Sequence, residues 1–204
     1  MAGLATSGTL THWFASRFAP DLDAQSAMAA LAEEAKASMP GANGLLVLPY
    51  FSGERTPIHD PHAKGAILGL TLASTRADVY RALIEGIAFA TNHIFETYAQ
   101  ADAPPGTIQA IGGGLRNRIW TQATSDVSGY TQVVRKVAIG AAYGDAFLAA
   151  LAVSDVSRET IKTWNPAASW IEPDVANAAL YRRRYDLFRA FYGRTHDLMA
   201  ALEL

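Results

Sequence analysis

Thr107-Ile108-Gln109-Ala110-Ile111-Gly112-Gly113-Gly114-Leu115-Arg116-Asn117 is the stretch whose reading decides the fold. A short apolar run ends in three glycines, and a helical pattern from Asn117 to Ser128 follows, closed by Gly129. Such a strand–turn–helix unit places a ligand-accessible turn at the end of a buried strand. Glycines let a ligand approach the backbone closely, and the first turn of a helix offers unpaired N–H groups and a positive dipole end that suit phosphate. The turn is not a P-loop, because no Lys-Ser or Lys-Thr follows the glycines. It also fails the dinucleotide fingerprint: Asn117 stands where the third glycine belongs, and no acidic residue closes a strand about twenty residues on. Without those signatures, a purely structural turn remains the competing reading.

On both sides of this unit, strands alternate with helices. Before it come a helix from Gly8 to Phe18, with Ser7 as its cap, and an Ala-rich helix from Leu22 to Ser38. A strand at Leu45–Leu48, a loop from Tyr50 to Lys64 and a strand at Ala66–Leu70 follow. Thr75-Arg76-Ala77-Asp78 then reads as a capping box, opening a helix that carries Val79, Leu83, Ile87, Ala90, Ile94 and Tyr98 at helical steps. After the glycine turn the pattern gives a strand at Thr131–Arg135 and a helix at Ala141–Val153. Ile161–Asp174 reads as irregular, and a last helix at Val175–Leu202 carries Leu180, Leu187, Phe191, Leu198 and Leu202 on one stripe. The class is α/β with a mixed or parallel sheet, and residues 1–204 read as a single domain.

Composition narrows the function. Among 204 residues, 17 basic side chains face 19 acidic ones, so no charge excess favours nucleic acid as a partner. With no cysteine, disulfide scaffolds, thiolate metal sites and catalytic thiols are excluded. No stretch is apolar for long enough to span a bilayer, and the start lacks the basic region of a signal peptide, so a cytoplasmic protein without membrane partners is expected. His59, His62, His93 and His196 show no metal-ligand spacing, and metal ligands are expected to be none.

Several ordered motifs resemble the C-terminal half of an FGGY-family carbohydrate kinase, of the xylulokinase type. Gly65-Ala66-Ile67-Leu68-Gly69-Leu70, with Asp78-Val79 and Ala82-Leu83-Ile84-Glu85, resembles the family's C-terminal signature, departing from it at Leu83. Glu54-Arg55-Thr56-Pro57, Asp60-Pro61 and Ala63-Lys64-Gly65 are similar to the loop before that signature. Gly112-Gly113-Gly114, Trp120, Gln122 and Ser125-Asp126-Val127 resemble the nucleotide-binding turn and helix, and Gly140-Ala141-Ala142-Tyr143-Gly144 resembles the next helix. The C-terminal Tyr181-Arg182-Arg183-Arg184-Tyr185 is also similar.

The resemblance implies an actin-like ATPase domain with a ribonuclease-H-like mixed sheet flanked by helices. It implies ATP and Mg2+ as cofactors of a complete enzyme, an adenine nucleotide as partner of this half, and phosphorylation of a sugar or polyol, a ketopentose such as xylulose being favoured. The family's catalytic aspartate and most of its sugar site belong to an N-terminal half absent from these 204 residues, so no catalytic residue is assigned and the chain alone is expected to be inactive. Carried over by position, the nucleotide contacts are Gly8, His12, Gly113, Gly114 and Asn117. His12 stands where glycerol kinases have a glutamine, and Gly114 is included as part of the turn. Glu85 and Asp126 are expected to cap or pair, and salt bridges are weighed against substrate contact as the reason for order around Glu54, Arg55 and Asp60. The exposed wall of a half-cleft suggests a homodimer. The rivals are a stand-alone nucleotide-binding or interaction module and a nicotinamide-dependent enzyme, the second disfavoured by the failed fingerprint.

Overall fold

The computed structural model describes residues 3–138, 140–154 and 156–202. Helix α1 (Gly8–Phe18) and helix α2 (Ala27–Glu34) precede strand β1 (Leu46–Leu48), strand β2 (Ala66–Leu68) and helix α3 (Arg76–Gln100). Strand β3 (Ile108–Ala110), helix α4 (Arg118–Ser128), strand β4 (Gln132–Arg135) and helix α5 (Ala141–Val153) follow. Helix α6 (Ile161–Trp164), strand β5 (Ala167–Ile171) and helix α7 (Ala178–Ala201) complete the chain. β1 and β2 pair antiparallel, whereas β3, β4 and β5 form a separate mixed sheet in which β3–β4 is parallel and β4–β5 antiparallel.

Helix α3 is the centre of the packing. It starts at the expected capping box: Asp78 Oδ2 accepts from the Thr75 N–H at 2.9 Å, and Thr75 Oγ1 accepts from the Asp78 N–H. Ser38 and Asn43 also donate to Asp78, so the box ties α3 to the segment before β1. From Tyr80 to Ala90 nearly every side chain is buried, because α3 is covered on several sides and not along one stripe. Toward α1 and α2 it joins a core with Leu10, Phe14, Leu31, Tyr80, Leu83 and Ile87. Toward α7 it joins a second core with Tyr50, Phe89, Tyr181, Tyr185 and Phe188. Gly86 permits the close approach of α3 to β1, since a Cβ there would lie 2.5 Å from the Val47 carbonyl oxygen.

Several boundaries differ from the sequence reading. Ser7 makes no side-chain cap on α1. Leu22–Ser38 is not one helix: Asp23 accepts from the N–H groups of Gln25 and Ser26 in a turn, and α2 begins only at Ala27. Ile161–Asp174 is not irregular, because it contains α6 and β5. β5 lacks the alternation of a half-buried strand and exists through pairing with β4.

The last helix turns a different face inward than its leucines suggest. Leu180, Leu187, Leu198 and Leu202 are 38–66% exposed, while Tyr181, Arg184, Tyr185, Phe188 and Met199 are buried. Tyr181, Tyr185 and Phe188 form a rival stripe at the same period, and three aromatic rings remove more apolar area from water than the leucines. Glu85 pays the polar side of this contact: its Oε1 accepts from Gly41 N–H, Arg81 Nε and Tyr181 Oη, each at 2.9 Å.

Candidate functional site at the glycine turn

The turn after β3 is built by one obligatory glycine and one permitted glycine. Gly112 has φ 90° and ψ −171°, a region essentially closed to side-chain-bearing residues. Its N–H donates to the Ala138 carbonyl at 3.1 Å, fixing the turn to the segment after β4. Gly113 has no left-handed φ, is exposed, and a Cβ there would meet no atom within 4 Å. Neither conformation nor packing requires glycine at 113. The N–H groups of Gly113 and Gly114 find no acceptor among the described residues. At Gly114 a Cβ would touch the Trp120 ring at an ordinary 3.5 Å.

Gly113–Arg116 forms a single 3-10 turn, and α4 follows with Asn117 as its N-cap. Asn117 Oδ1 accepts from the N–H groups of Ile119 and Trp120 at 3.1 and 3.2 Å. The donors of α4 that were expected to face a phosphate are therefore partly used by the chain itself, and the unpaired donors of this unit lie earlier, at Gly113 and Gly114. Asn117 Nδ2 reaches the Tyr80 hydroxyl at 3.4 Å. Burial pushes the Tyr80 phenol up to about 12, so it stays protonated at neutral pH. Sequence reasoning missed the cap and the tyrosine. Asn is among the strongest N-cap residues, so its place before Ile119-Trp120 was a usable signal for the cap; nothing local marked Tyr80.

Gly8 and His12 lie one turn apart on α1, at positions four residues apart that share a helix face. Gly8 opens the helix with open space at its Cβ position, and His12 is exposed. The other face of α1 meets the glycine unit through the core: Ile119 and Trp120 pack against the cluster of Leu10, Phe14 and Tyr80. Phe14 and Tyr80 rings lie 5.4 Å apart, and Tyr80 in turn meets Asn117. Two surface hollows lie elsewhere, one beside Glu54 and one between α3, α4 and α7, and none of the five candidate residues lines either.

The loop before β2 is ordered by hydrogen bonds to the carboxylates of Glu54 and Asp60, and among the described residues it makes no salt bridge. Glu54 Oε1 accepts from the N–H groups of Ala5, Arg55 and Thr56, and burial holds its carboxyl above the usual range. Asp60 accepts from the His62 N–H and the Tyr192 hydroxyl. Burial opposes its ionisation, but these donors keep its carboxyl below the usual range. Asp126 accepts from Gln122, the Asp174 N–H and Asn177, a pairing role that clamps α4 to the segment before α7. Among the described residues no group of three His, Asp or Glu side chains is placed to hold a metal ion.

The model of the FGGY family of carbohydrate kinases, C-terminal domain, matches residues 1–153. The chain belongs to that family. It is 32% identical over 199 residues to the xylulose kinase of Bacillus subtilis, covering 97% of this chain and 39% of the relative. It is 27% identical to the ribulokinase of Bacillus licheniformis, covering 99% and 40%. Its fold superposes on the crystal structure of xylulose kinase from Rhodospirillum rubrum with a TM-score of 0.85 and 32% identity, covering 97% of this chain and 40% of that one. This FGGY chain has the actin-like ATPase architecture of those kinases and spans about 40% of the length of the relatives it matches. No helix among its described residues is long and apolar enough to cross a membrane.

Proposed function

We propose that this FGGY chain is the nucleotide-side domain of an ATP-dependent carbohydrate kinase, with Gly8, His12, Gly113, Gly114 and Asn117 facing the nucleotide. The observation that carries the reading is Gly113: exposed, free of steric neighbours, not demanded by the backbone, and carrying an N–H without an acceptor among the described residues. A glycine that the fold does not require leaves the backbone open to a ligand that approaches from outside. Gly113 and Gly114 present their N–H groups to phosphate oxygens, α1 contributes the uncapped N-terminus at Gly8, and Asn117 keeps the turn and α4 in register. ATP with Mg2+ supplies the transferable phosphoryl group and neutralises its charge. The ion would be held mainly by phosphate oxygens and by residues outside this chain, since no ligand set is present among the described residues.

The likeness to xylulose kinases favours a ketopentose as the phosphate acceptor of the complete protein. The base that orients the sugar hydroxyl is assigned to the remaining part, so the 204-residue chain binds nucleotide without turning it over. A coupled ADP-release assay with xylulose, ribulose and glycerol checks this. Sugar-dependent turnover that survives repurification would overturn the division of labour. The same reading places self-association on the apolar surface left open in α5, where Phe147 is buried but Leu148 and Val153 are 63% and 85% exposed. Light scattering at increasing concentration decides between a monomer and a dimer.

A further inference from the structure

Tyr80 of α3 is fully buried, in a core shared with Leu10 and Phe14 of α1, Leu83 and Ile87 of α3, and Ile119 and Trp120 of α4. Its ring centroid lies 5.4 Å from that of Phe14. For packing alone a phenylalanine ring fills the same space, and a hydroxyl taken out of water needs a partner. The Tyr80 hydroxyl accepts from Asn117 Nδ2 at 3.4 Å, and no other hydrogen bond reaches it among the described residues. What the tyrosine adds to the packed ring is this contact.

The cap on α4 fixes which end of the Asn117 side chain Tyr80 receives. Asn117 Oδ1 accepts from the N–H groups of Ile119 and Trp120, so Nδ2 is the end left over. A flipped carboxamide would set its own donors against those N–H groups and leave the cap unmade. The Asn117 backbone N–H donates to the Gly114 carbonyl at 3.0 Å, closing the turn that carries Gly113 and Gly114. Asn117 is thus held to α4 by Oδ1, to the glycine turn by its N–H, and to α3 by Tyr80. The first two bonds shape the unit from within. The third reaches a residue 37 positions away in the chain and ties the unit to the core it shares with α1.

We propose that Tyr80 is a positioning residue for the ligand of the glycine turn: its hydroxyl anchors the Asn117 carboxamide and so holds the Gly113 and Gly114 N–H groups at a fixed place relative to α1, which carries Gly8 and His12. This role rests on the nucleotide reading of the turn. Tyr80 is too deeply buried to touch the ligand and acts through Asn117. Groups on separate elements meet one ligand only when their relative geometry is set beforehand.

The test is Tyr80→Phe, which removes the hydroxyl and keeps the ring. In NMR titrations of the 204-residue chain with ADP, the variant should bind about 2- to 5-fold more weakly than the parent, the loss of one long neutral hydrogen bond. Its unliganded Tm should move by no more than about 2 °C. A packing effect would persist without Asn117, so the same substitution is made in Asn117→Ala, where the effect of Tyr80→Phe on ADP should disappear. Without ligand, amide hydrogen exchange at Ile119 and Trp120 should be faster in Tyr80→Phe, while Ser128 at the far end of α4 exchanges as in the parent. The proposal is overturned if Tyr80→Phe binds ADP as tightly as the parent, or if it weakens ADP equally with and without Asn117. A parent that ignores ADP at several millimolar refutes the nucleotide reading instead. The exchange measurement then decides by itself: faster exchange at Ile119 and Trp120 upholds the tie between Tyr80 and Asn117, and unchanged exchange overturns it.

Discussion

Replacing Gly112 by alanine and Gly113 by valine separates the glycine that the fold needs from the glycine proposed to face a ligand. At 112 the backbone sits at φ 90° and ψ −171°, and holding a Cβ there costs about 1–3 kcal/mol. For a chain of this size each kcal/mol moves the midpoint by about 2–4 °C, so Gly112→Ala should lower Tm by about 2–12 °C. At 113 φ is ordinary and no atom lies within 4 Å of the new Cβ, so Gly113→Val should change stability by no more than about 0.5 kcal/mol. Nucleotide binding should respond in the opposite way. With ADP held by part of its phosphate contacts, the expected Kd is on the order of 0.1–1 mM, about −4 to −5.5 kcal/mol. At roughly 5 mM ADP and a Kd near 0.5 mM, linkage stabilises the wild type by about 1.4 kcal/mol, a Tm rise of about 3–6 °C. In Gly113→Val the isopropyl group occupies the approach to the 113 and 114 N–H groups, and the rise should vanish while the unliganded Tm stays put. Melting curves of the three proteins with and without ADP, together with calorimetric titration, give the answer. A Gly113→Val protein that loses as much stability as Gly112→Ala, or one that keeps the full ADP-induced rise, refutes the argument.

Asn117 should report as a cap before it reports as a ligand contact. Asn117→Ala removes the acceptor for two α4 N–H groups and should cost about 1 kcal/mol in denaturant unfolding; Asn117→Asp keeps an acceptor and should retain stability, with the Tyr80 hydroxyl turned from acceptor to donor. Equal destabilisation by both would remove the cap from the account. His93 supplies a pH dependence: burial, reinforced by Arg189, lowers its folded pKa to about 4 from 6.5. The unfolded chain therefore binds the extra proton first, and stability present above pH 6.5 is lost as pH falls toward 4. Discounted for partial solvent access, the loss between pH 6.5 and 5 is about 1 kcal/mol. Urea titrations at the two pH values should show that loss in the parent and a smaller one in His93→Gln; an identical pH dependence in both would contradict it.

Local chemistry settled the elements whose signals lie within a few residues. The Thr75–Asp78 box starts α3 because both partners of the cap are in one turn of chain, and Gly129 ends α4 because φ 73° suits a glycine. The ordered motifs from Glu54 to Tyr185 made the family legible, since their spacing is a property of sequence alone. What depended on distant partners was not legible. β5 is a strand because β4 lies beside it, although Ala167-Ala168-Ser169-Trp170-Ile171 has no burial alternation of its own. On α7, leucine and aromatic stripes share one period, and only the presence of Tyr50 and Phe89 across the core decides that Tyr181, Tyr185 and Phe188 turn inward. At the candidate site, the triple glycine announced a turn, but its division of labour did not show in three identical letters. Gly112 is fixed by a backbone angle and Gly113 is left open by the absence of neighbours. Both are facts of the packed chain, because a backbone angle and an empty volume exist only once the surrounding residues have taken their places.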